Sequence, residues 1–452
     1  MGVHYGISLA SVRVVFFVWW HCSSVKSTTS ELALAVEDAA EEQWYADRGN
    51  SEIHPSSDLV ADGCLNEGAT GYTLLILVAP RPRPPLPPEK RYKTIAQDGS
   101  ITEPQLLPCW QDSLGNPMTD NTKEMEKAEL FVSVVVPAFN EEDRLGGMLE
   151  EAVNYLERTY GKLAECQQDE TLLNEVTKRQ RTRRRKLDGG ANGSANGSAN
   201  RSADMPVRGW EILVVSDGST DGTVETALAF AKDHQLSPHP KSHPGPWSTV
   251  VDADGVHTPA GTIRVITLTK NRGKGGAVTH GMRHVRGQYV IFADADGASR
   301  FEDLGKLVSA CQRIEDVQSR GLAVGSRAHL VGSEAVVKRS KLRNFLMHSF
   351  HLILRILTPP ATASIKDTQC GFKLFSRASL PYIIPYMHFE GWIFDVEMLM
   401  LAEFAGIPVA EVPVGWREVK GSKLNVVWDS LGMAWGLAIL RMAWGFGVYR
   451  RT

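Results

Sequence analysis

The stretch that decides the fold runs from residue 131 to residue 142, FVSVVVPAFNEE. Its apolar, β-branched run is typical of a buried strand, which Pro137 ends. Residues 141–160 then repeat large apolar side chains at helical spacing: Leu145, Met148, Leu149, Val153 and Leu156. A buried strand followed at once by an amphipathic helix predicts a βα unit.

The same alternation continues along the chain. Residues 211–219 (EILVVSDGS), 262–268 (TIRVITL) and 288–297 (QYVIFADADG) are predicted strands, and residues 221–234 (DGTVETALAFAKDH) are a predicted helix. Alternating strands and helices favour a mostly parallel sheet that helices cover on both faces. The sequence therefore predicts an α/β, Rossmann-like fold.

Composition excludes several classes of protein. Of the 452 residues, 43% are hydrophobic and 22% are charged, which is the balance of a globular core and not of a disordered chain or a polytopic membrane protein. The 49 basic and 52 acidic residues leave a net charge of −3, so we expect no nucleic-acid partner. The 6 cysteines include no C-x-x-C pair, which disfavours a zinc knuckle or a disulfide framework.

Residues 1–80 are predicted to be a poorly defined N-terminal region with a possible membrane anchor. Ile7–Cys22 is apolar but short and contains Arg13, so it suits a signal-type segment, a marginal anchor or a buried strand. Tyr72–Ala79 is shorter still, yet a Pro-rich, basic flank follows it, as on the cytoplasmic side of a membrane segment. We expect residues 81–130 to link this region to the main domain.

Two insertions, near residues 165–206 and 236–260, are predicted to be disordered. The first contains a basic run at 178–186 that suits a nuclear signal, a contact with anionic lipid or a solvated segment. The second is rich in His and Pro and is predicted to be loop-like. At the end of the chain, residues 425–452 are apolar and Trp-rich, which favours an interfacial helix or a buried terminal helix.

Polar residues follow the predicted strands, where ligands bind in open α/β sheets. Asn140 and Glu141 open a helix after the first strand, and Asp217 follows the second strand. Asp217 could accept a hydrogen bond from an imide N–H or a ribose hydroxyl of a nucleotide. An ordinary helix start and an ordinary Asp-Gly-Ser turn explain the same residues, so both interpretations stay open at this point.

The third strand end is the most informative, because Asp294 and Asp296 stand two residues apart after an apolar strand. Clustered carboxylates repel each other, and a divalent cation relieves that repulsion. Oxygen ligands with room for water and phosphate suit Mg²⁺ or Mn²⁺ bridging a nucleoside diphosphate. The same D-A-D-G tetrapeptide at Asp252 and Asp254 lies in the His/Pro-rich insertion and is predicted to be a turn.

Basic residues recur near these strand ends. Arg272 and Lys274 lie among the glycines of residues 269–282, TKNRGKGGAVTHGM, where backbone N–H groups at a helix start favour anions. Arg339 and Arg343 are four residues apart and share one face of a predicted helix. Beside an apolar stretch, such a face could hold a lipid-linked phosphate at a membrane surface or carry ordinary surface charges.

A series of ordered motifs over residues 131–424 resembles the dolichyl-phosphate β-glucosyltransferases of glycosyltransferase family 2. The motifs are VVVPAFNEE (134–142), VVSDGSTDGT (214–223), KNRGKGGA (270–277), ADADGA (293–298), GSRAHL (325–330), DTQCGFKLF (367–375), GWIFDVEML (391–399) and WREVKGSKL (416–424). The joint occurrence of KNRGKGGA, DTQCGFKLF and GSKL makes the resemblance specific.

The resemblance implies a GT-A fold and a metal-assisted, inverting transfer of glucose from UDP-glucose to dolichyl phosphate, as donor supply for N-glycan precursor assembly. It implies Mg²⁺ or Mn²⁺ as cofactor. It further implies a single N-terminal membrane helix and a place at the endoplasmic reticulum membrane, with the catalytic domain facing the cytosol.

The resemblance also implies roles for individual residues. The uridine site would be lined by Pro137, Asn140, Glu141 and Asp217. The metal pair would be Asp294 and Asp296. The acceptor or donor phosphates would be faced by Arg327, Arg339, Arg343 and Lys373. Asp395 and Glu397 would lie near the sugar, and the predicted catalytic residues are Asp294, Asp296, Arg327 and Asp395.

Ser216 departs from the family pattern, which usually has the first of two adjacent aspartates at this position. This departure suggests a catalytically silent nucleotide-sugar-binding protein as one alternative. A dolichyl-phosphate mannosyltransferase that uses GDP-mannose is the other, because it shares the carboxylates at the strand ends. The DTQCGFKLF and GSKL segments disfavour the mannosyltransferase. We expect no indispensable catalytic base, because a dolichyl phosphate oxygen is already anionic at pH 7.

Overall fold

A computed structural model describes residues 71–114, 125–161, 208–248, 256–330, 349, 352–419 and 426–450. The chain divides into two compact units. The first unit comprises Met1–Ala79 and Gly445–Tyr449, and its described part contains a helix over residues 71–78. The second unit comprises Pro80–Trp444 and Arg450–Thr452 and contains the β-sheet.

The sheet has nine strands within the described ranges. They are β1 (Arg91–Lys93), β2 (Gln105–Leu106), β3 (Leu130–Ala138), β4 (Trp210–Ser216), β5 (Ile263–Thr267), β6 (Gly287–Ala293), β7 (Leu322–Ser326), β8 (Phe372–Ser376) and β9 (Val409–Pro413). Their order across the sheet is β2-β1-β5-β4-β3-β6-β8-β7-β9.

The sheet is mixed. Strands β5, β4, β3 and β6 pair in parallel, as do β7 and β9. The pairs β1–β2, β1–β5, β6–β8 and β7–β8 are antiparallel. The predicted α/β sheet is confirmed, but it is mixed and not mostly parallel, because β1 and β8 run antiparallel to their neighbours and lie outside the strand–helix alternation that the sequence shows.

The helices follow the predicted alternation. They are α1 (Leu145–Tyr160), α2 (Thr223–Leu236), α3 (Lys274–Met282), α4 (Leu304–Ile314), α5 (Pro360–Ser364), α6 (Phe394–Phe404) and α7 (Val426–Gly445). Residues 352–357 are also helical. Short 3₁₀ turns occur at Pro87–Lys90, Trp110–Ser113, Phe301–Asp303, Ala328–Leu330, Arg377–Tyr382 and Ile384–Tyr386.

Two hydrophobic cores lie on opposite faces of the sheet. Val132, Val134 and Val136 of β3 point into one core with α1, α2 and α4. Val135, between them, points into the other core with α3 and α6. All four valines are fully buried. A strand covered on both faces needs mostly apolar side chains, which explains the apolar run 134–136 that follows Ser133 in β3.

Strand register brings the predicted site to one edge of the sheet. Ala138, Ser216 and Thr267, the last residues of β3, β4 and β5, lie side by side. On the other side of β3, Val135 pairs with Phe292 of β6. The segments that follow these parallel strands therefore leave the sheet at the same carboxyl edge.

Membrane association is predicted for segments near both ends of the chain. None of the helices in the described ranges combines the length and apolar character needed to traverse a lipid bilayer. Helix α7 buries Met433, Leu437 and Leu440, whereas its Trp428 and Leu431 are exposed. The segment Ile7–Cys22 lies outside the described residues.

Candidate active site

The loops that follow β3 and β4 are tied to each other by hydrogen bonds. Asn140 has a φ of 55°, in the left-handed region that Asn tolerates better than most residues. Its Oδ1 accepts the backbone N–H of Thr220 at 2.8 Å. The backbone N–H of Glu141 donates to Thr223 Oγ1 at 2.8 Å. These hydrogen bonds hold Asn140 and Glu141 against the segment that follows β4. The predicted uridine contacts of Pro137, Asn140 and Glu141 stay predictions.

Asp217 shapes the loop that follows β5. Its carboxylate is buried, and its two oxygens accept the backbone N–H groups of Arg272 at 2.7 Å and Gly273 at 2.8 Å. Burial raises the pKa of Asp217 to about 6, although these two N–H groups favour the charged form. Both oxygens are already engaged by the loop, so the predicted bond to an imide or ribose group stays a prediction.

The carboxylates of Asp294 and Asp296 lie just after β6. Their side chains are 32% and 29% exposed, so both reach solvent. Burial and the charge of Asp294 raise the pKa of Asp296, and the backbone N–H of Ala298 partly offsets this effect. The two carboxylates are therefore close enough to repel each other at an open edge of the sheet, as the sequence predicts.

Gly371 leaves the space that Asp294 occupies. A Cβ atom at position 371 would lie 2.1 Å from Asp294 Oδ2, a distance that no real contact allows. The backbone N–H of Asp294 in turn donates to the carbonyl of Gly371 at 3.1 Å. The glycine of the DTQCGFKLF motif therefore makes room for the first carboxylate of the pair.

Two cations accompany the pair. Lys274 Nζ lies 2.6 Å from Asp294 Oδ1, and Arg144 NH1 lies 4.0 Å from Asp296 Oδ2. Burial opposes the charged form of Lys274, but the surrounding aspartates outweigh it and raise the pKa of the ammonium. Sequence reasoning identified Lys274 and missed Arg144. Arg144 could have been found from its position directly after the acidic residues that follow the first strand.

The donor set fits a divalent cation. Carboxylate oxygens are the ligands that Mg²⁺ and Mn²⁺ prefer, and Mg²⁺ usually keeps several waters or substrate oxygens. Within the described ranges, no group of three or more His, Cys, Asp or Glu side chains is arranged to hold a metal ion. Mg²⁺ in proteins is commonly held by one or two carboxylates together with substrate phosphate and water, so Asp294 and Asp296 are the residues that would hold it.

Lys373 and Asp395 form a buried ion pair. Lys373 is fully buried, and its Nζ donates to Asp395 Oδ1 and, at 2.7 Å, to the carbonyl of Cys370. Burial raises the pKa of Asp395, against the influence of Lys373. The structure does not show the predicted contact between Lys373 and a phosphate. The whole of β8 is buried, and the Lys373 ammonium is paired with Asp395.

Arg327 follows β7 and is oriented by a carboxylate that the sequence did not single out. Its Nε and NH2 donate to Asp367 Oδ2 at 2.7 Å and Oδ1 at 2.8 Å. Its guanidinium carbon also lies 5.7 Å from the centre of the Trp416 ring. The Arg327 side chain remains 31% exposed. This bidentate pair fixes the planar guanidinium, and the predicted phosphate contact stays a prediction.

Arg272, which the sequence places in a predicted anion-binding segment, is engaged by carboxylates in the structure, and its predicted contact with substrate stays a prediction. Its Nε donates to Glu390 Oε1 at 2.9 Å, its NH2 donates to the carbonyl of Arg83, and its NH1 lies 3.8 Å from Glu89 Oε2. The side chain is only 5% exposed. The Pro-rich segment before β1 supplies Arg83 and Glu89, and its position was not visible in the sequence.

The glycines beside Lys274 serve close packing. Gly273 has a φ of 85°, and a Cβ there would lie 2.6 Å from the carbonyl of Glu390. A Cβ at Gly275 would lie 2.5 Å from Phe394 Cβ. The sequence suggested that these glycines let the backbone approach a phosphate. In the structure they let the loop pack against residues 389–394, which fixes the position of Lys274.

Glu397 is a further site prediction that the structure revises. It is fully buried, and its Oε2 accepts the backbone N–H groups of His388 at 2.9 Å and Phe389 at 2.8 Å. His388 Nδ1 lies 3.0 Å from Glu397 Oε1. Both carboxylate oxygens of Glu397 are therefore engaged by the segment before α6. Arg339, Arg343, Asp252 and Asp254 lie outside the described residues.

Comparison with known proteins gives a family match and extensive similarity to curated relatives. The model of Glycosyl transferase family 2 matches residues 249–380. A dolichyl-phosphate beta-glucosyltransferase of Saccharomyces cerevisiae is 36% identical over 385 residues, which cover 84% of this chain and 91% of that protein. A protein of the same name from Homo sapiens is 34% identical over 320 residues, which cover 71% of this chain and 77% of that protein.

Solved structures are more distant. Glucosyl-3-phosphoglycerate synthase from Mycobacterium tuberculosis, in complex with Mg²⁺ and uridine-diphosphate, is 16% identical with a TM-score of 0.37 and covers 70% of this chain and 80% of its own. Mannosyl-3-phosphoglycerate synthase from Rubrobacter xylanophilus is 17% identical with a TM-score of 0.38. The match covers 71% of this chain and 76% of that protein. Together with the family match, the mixed sheet described above is a GT-A-like fold.

Proposed function

Since the chain belongs to the dolichyl-phosphate β-glucosyltransferase family, we propose that it transfers glucose from UDP-glucose to dolichyl phosphate and releases UDP. The observation that carries this proposal is the Asp294 and Asp296 pair, which is partly exposed at the carboxyl edge of the parallel strands. Lys274 beside the pair supplies positive charge of the kind that binds a diphosphate, whereas Arg144, 4.0 Å from Asp296, is itself paired with Glu141 at 2.6 Å.

The reaction is a single displacement at the anomeric carbon of glucose. An oxygen of dolichyl phosphate attacks that carbon, and the bond to the β-phosphate oxygen breaks with its electron pair passing to UDP, so the configuration inverts. The acceptor oxygen is already anionic at pH 7, so the protein contributes orientation and desolvation more than proton removal. Lys274, next to Asp294, offsets the negative charge that develops on the leaving diphosphate.

Mg²⁺ or Mn²⁺ would be held by Asp294 and Asp296, and when bound it would neutralise charge on the diphosphate. Two features of the chain support this assignment. Burial and the charge of Asp294 raise the pKa of Asp296, a repulsion that a bound cation would relieve, and Gly371 keeps the space around Asp294 free of a side chain.

The test is glucosyl transfer by microsomes that contain the chain, supplied with radiolabelled UDP-glucose and dolichyl phosphate, with and without Mg²⁺. Asp296→Asn should reduce lipid-soluble label by about 100-fold or more, as loss of an electrostatic stabiliser does. Asp316→Asn is the control, because Asp316 pairs with Arg320, at 2.7 Å, away from the site. Absence of label with the wild type would refute the activity, and undiminished label with Asp296→Asn would refute the metal assignment.

The two alternatives give different results in the same assay. Labelled GDP-mannose in place of UDP-glucose yields lipid-soluble label only if the chain is a mannosyltransferase. Ser216 is fully buried, and its Oγ has no hydrogen-bond partner in the described part of the chain. Transfer that arises only in Ser216→Asp would identify a silent nucleotide-sugar-binding protein.

Residence at the endoplasmic reticulum membrane, with the site in the cytosol, is part of the same proposal. The basic, Pro-rich flank after Tyr72–Ala79 supports it, because such flanks mark the cytoplasmic side of membrane segments. The exposed Trp428 and Leu431 of α7 suit an interfacial helix. Protease added outside sealed microsomes should cleave the catalytic unit; protection of that unit would place it in the lumen and contradict the proposal.

A further inference from the structure

The His/Pro-rich insertion packs directly on α1. Gly147 faces this insertion, and a Cβ there would lie 2.8 Å from Gly245 Cα. The backbone N–H of Trp247 donates to Glu151 Oε1 of the same helix at 2.7 Å. Residues 243–248 therefore pack against α1. The prediction that the whole insertion near 236–260 is disordered is wrong for this part of it.

The indole of Trp247 reaches the turn that carries the second aspartate of the metal pair. Its Nε1 donates to the carbonyls of Gly297 at 3.1 Å and Ala298 at 3.3 Å. The guanidinium carbon of Arg417 lies 4.3 Å from the centre of the indole ring, a cation–π contact, and NH1 of the same arginine donates to the carbonyl of Pro246. Arg417 thus contacts the face of the indole ring, and the carbonyls of Gly297 and Ala298 hold its N–H edge.

The turn at residues 296–298 links Trp247 to the Asp296 carboxylate. Gly297 has a φ of 68°, which glycine adopts without strain, and the backbone N–H of Ala298 donates to Asp296 Oδ1 at 3.0 Å. The carbonyl of Ala298 also accepts the backbone N–H of Arg417 at 2.9 Å. The peptide group between Gly297 and Ala298 is therefore held at its carbonyl by Trp247, while its N–H orients the Asp296 carboxylate. The carbonyl of the next peptide group, that of Ala298, is held by Trp247 and Arg417.

We propose that Trp247 is a positioning residue for the metal pair: its indole N–H fixes the turn at residues 296–298 and thereby aims the Asp296 carboxylate at the divalent cation. This inference rests on the proposed function, since it assigns Trp247 a role only through the cation that Asp296 holds. Trp247 itself does not contact the reacting atoms in this assignment. It orients a ligand, as outer partners of metal ligands commonly do.

The test uses Trp247→Phe in the full chain, because phenylalanine keeps an aromatic face for Arg417 and removes only the N–H donor. Binding of Mn²⁺ in the presence of UDP is measured from the electron paramagnetic resonance signal of free Mn²⁺. We expect the Mn²⁺ dissociation constant to rise about threefold to tenfold, the effect of one lost hydrogen bond. Amide hydrogen exchange of residues 294–298 without metal should be faster than in the wild type.

Trp110→Phe is the matched control. Trp110 is buried, whereas Trp247 is half-buried, and Trp110 likewise donates its Nε1 to a backbone carbonyl, that of Met282 at 2.7 Å. Within the described residues its hydrogen bonds do not include the turn. Trp110→Phe should lose at least as much stability as Trp247→Phe and keep the wild-type Mn²⁺ dissociation constant. An unchanged constant in Trp247→Phe, or equal weakening in both variants, would overturn the positioning role.

Failure of this inference differs from failure of the proposed function. If the wild type binds Mn²⁺ with UDP but yields no glucosylated lipid, the proposed function fails while the positioning role of Trp247 can still be measured. If the wild type transfers glucose and Trp247→Phe binds Mn²⁺ as tightly, only the positioning role fails. A wild type that binds no Mn²⁺ in the presence of UDP would overturn the positioning role and leave the transfer of glucose to be decided by the microsome assay.

Discussion

At the scale of single residues, charged side chains that the sequence predicts to bind substrate are held by partners elsewhere in the chain. Arg327 is paired with Asp367, and Arg272 with Glu390. Lys373 is paired with Asp395 in the interior. Sequence motifs identify such residues because they are unusual in apolar surroundings, but only the partner decides whether a charge faces a ligand or another side chain.

The Lys373 pair predicts a large and specific effect on stability. Lys373→Met leaves Asp395 buried without its partner, and we expect the free energy of unfolding to fall by about 3–5 kcal/mol. Replacing both charges, with Lys373→Met and Asp395→Leu together, should recover much of that loss. Urea-induced unfolding of each variant measures both effects.

An ion pair with an exposed lysine supplies the comparison. Lys306 Nζ lies 2.7 Å from Asp303 Oδ1, and the Lys306 side chain is 62% exposed while that of Asp303 is 4% exposed. Because water solvates the Lys306 ammonium, Lys306→Met should cost less than Lys373→Met. Equal urea midpoints for Lys373→Met and Lys306→Met would show that the buried pair does not have the assigned role.

At the scale of elements, α3 illustrates how small side chains position a site. A Cβ at Gly281 would lie 2.5 Å from Val135 Cγ1 of β3, so this glycine lets α3 lie directly on the parallel strands. Gly273 and Gly275 bring the start of α3 against residues 389–394. The element thereby carries Lys274 to Asp294.

Two histidines at the end of α3 predict a pH dependence of stability. His280 Nε2 lies 2.9 Å from the carbonyl of Glu89, and His284 Nδ1 lies 2.8 Å from that of Pro108. Burial lowers the pKa of His280 to about 3 and that of His284 to about 4. In the unfolded chain both titrate near about 6.5, so the unfolded state binds more protons below that pH. Stability is therefore complete above the unfolded pKa and falls as the pH drops.

Each histidine should contribute about 2 kcal/mol to the loss between pH 7 and pH 5. Urea unfolding at several pH values should show a steep decline in the wild type and a flatter one in the double variant His280→Gln and His284→Asn. His239→Gln, at an exposed position, should keep the wild-type slope. A double variant with the same slope as the wild type would contradict the assignment.

At the scale of the whole molecule, the site exists only because distant segments meet. Asp217 holds the loop at Arg272 and Gly273, Gly371 faces Asp294, and Trp247 reaches Ala298. Each contact joins parts of the chain that are far apart in sequence or lie in different loops. Ligand binding and folding of the second unit are therefore coupled, because the unfolded chain cannot present these groups together.

This coupling predicts stabilisation by the metal and nucleotide together. At about 100 times their dissociation constant, Mn²⁺ and UDP should stabilise the wild type by about 2.7 kcal/mol and raise its melting temperature by several degrees. Asp294→Asn should lose most of the increment that Mn²⁺ adds to UDP alone. Differential scanning calorimetry measures both, and an equal Mn²⁺ increment in Asp294→Asn would refute the role of that carboxylate.

The sequence by itself determined the α/β alternation, the place of the aspartate pair after β6 and the family, because apolar periodicity and short motifs are local properties of the chain. It did not reveal Arg144, Asp367 or the seat of Trp247 on α1, and it assigned Lys373, Arg272 and Glu397 to ligands. Only the tertiary structure decided those roles, since a charge pairs with whichever group the fold brings within a few ångströms, and strand order and side-chain direction are not encoded in any single segment.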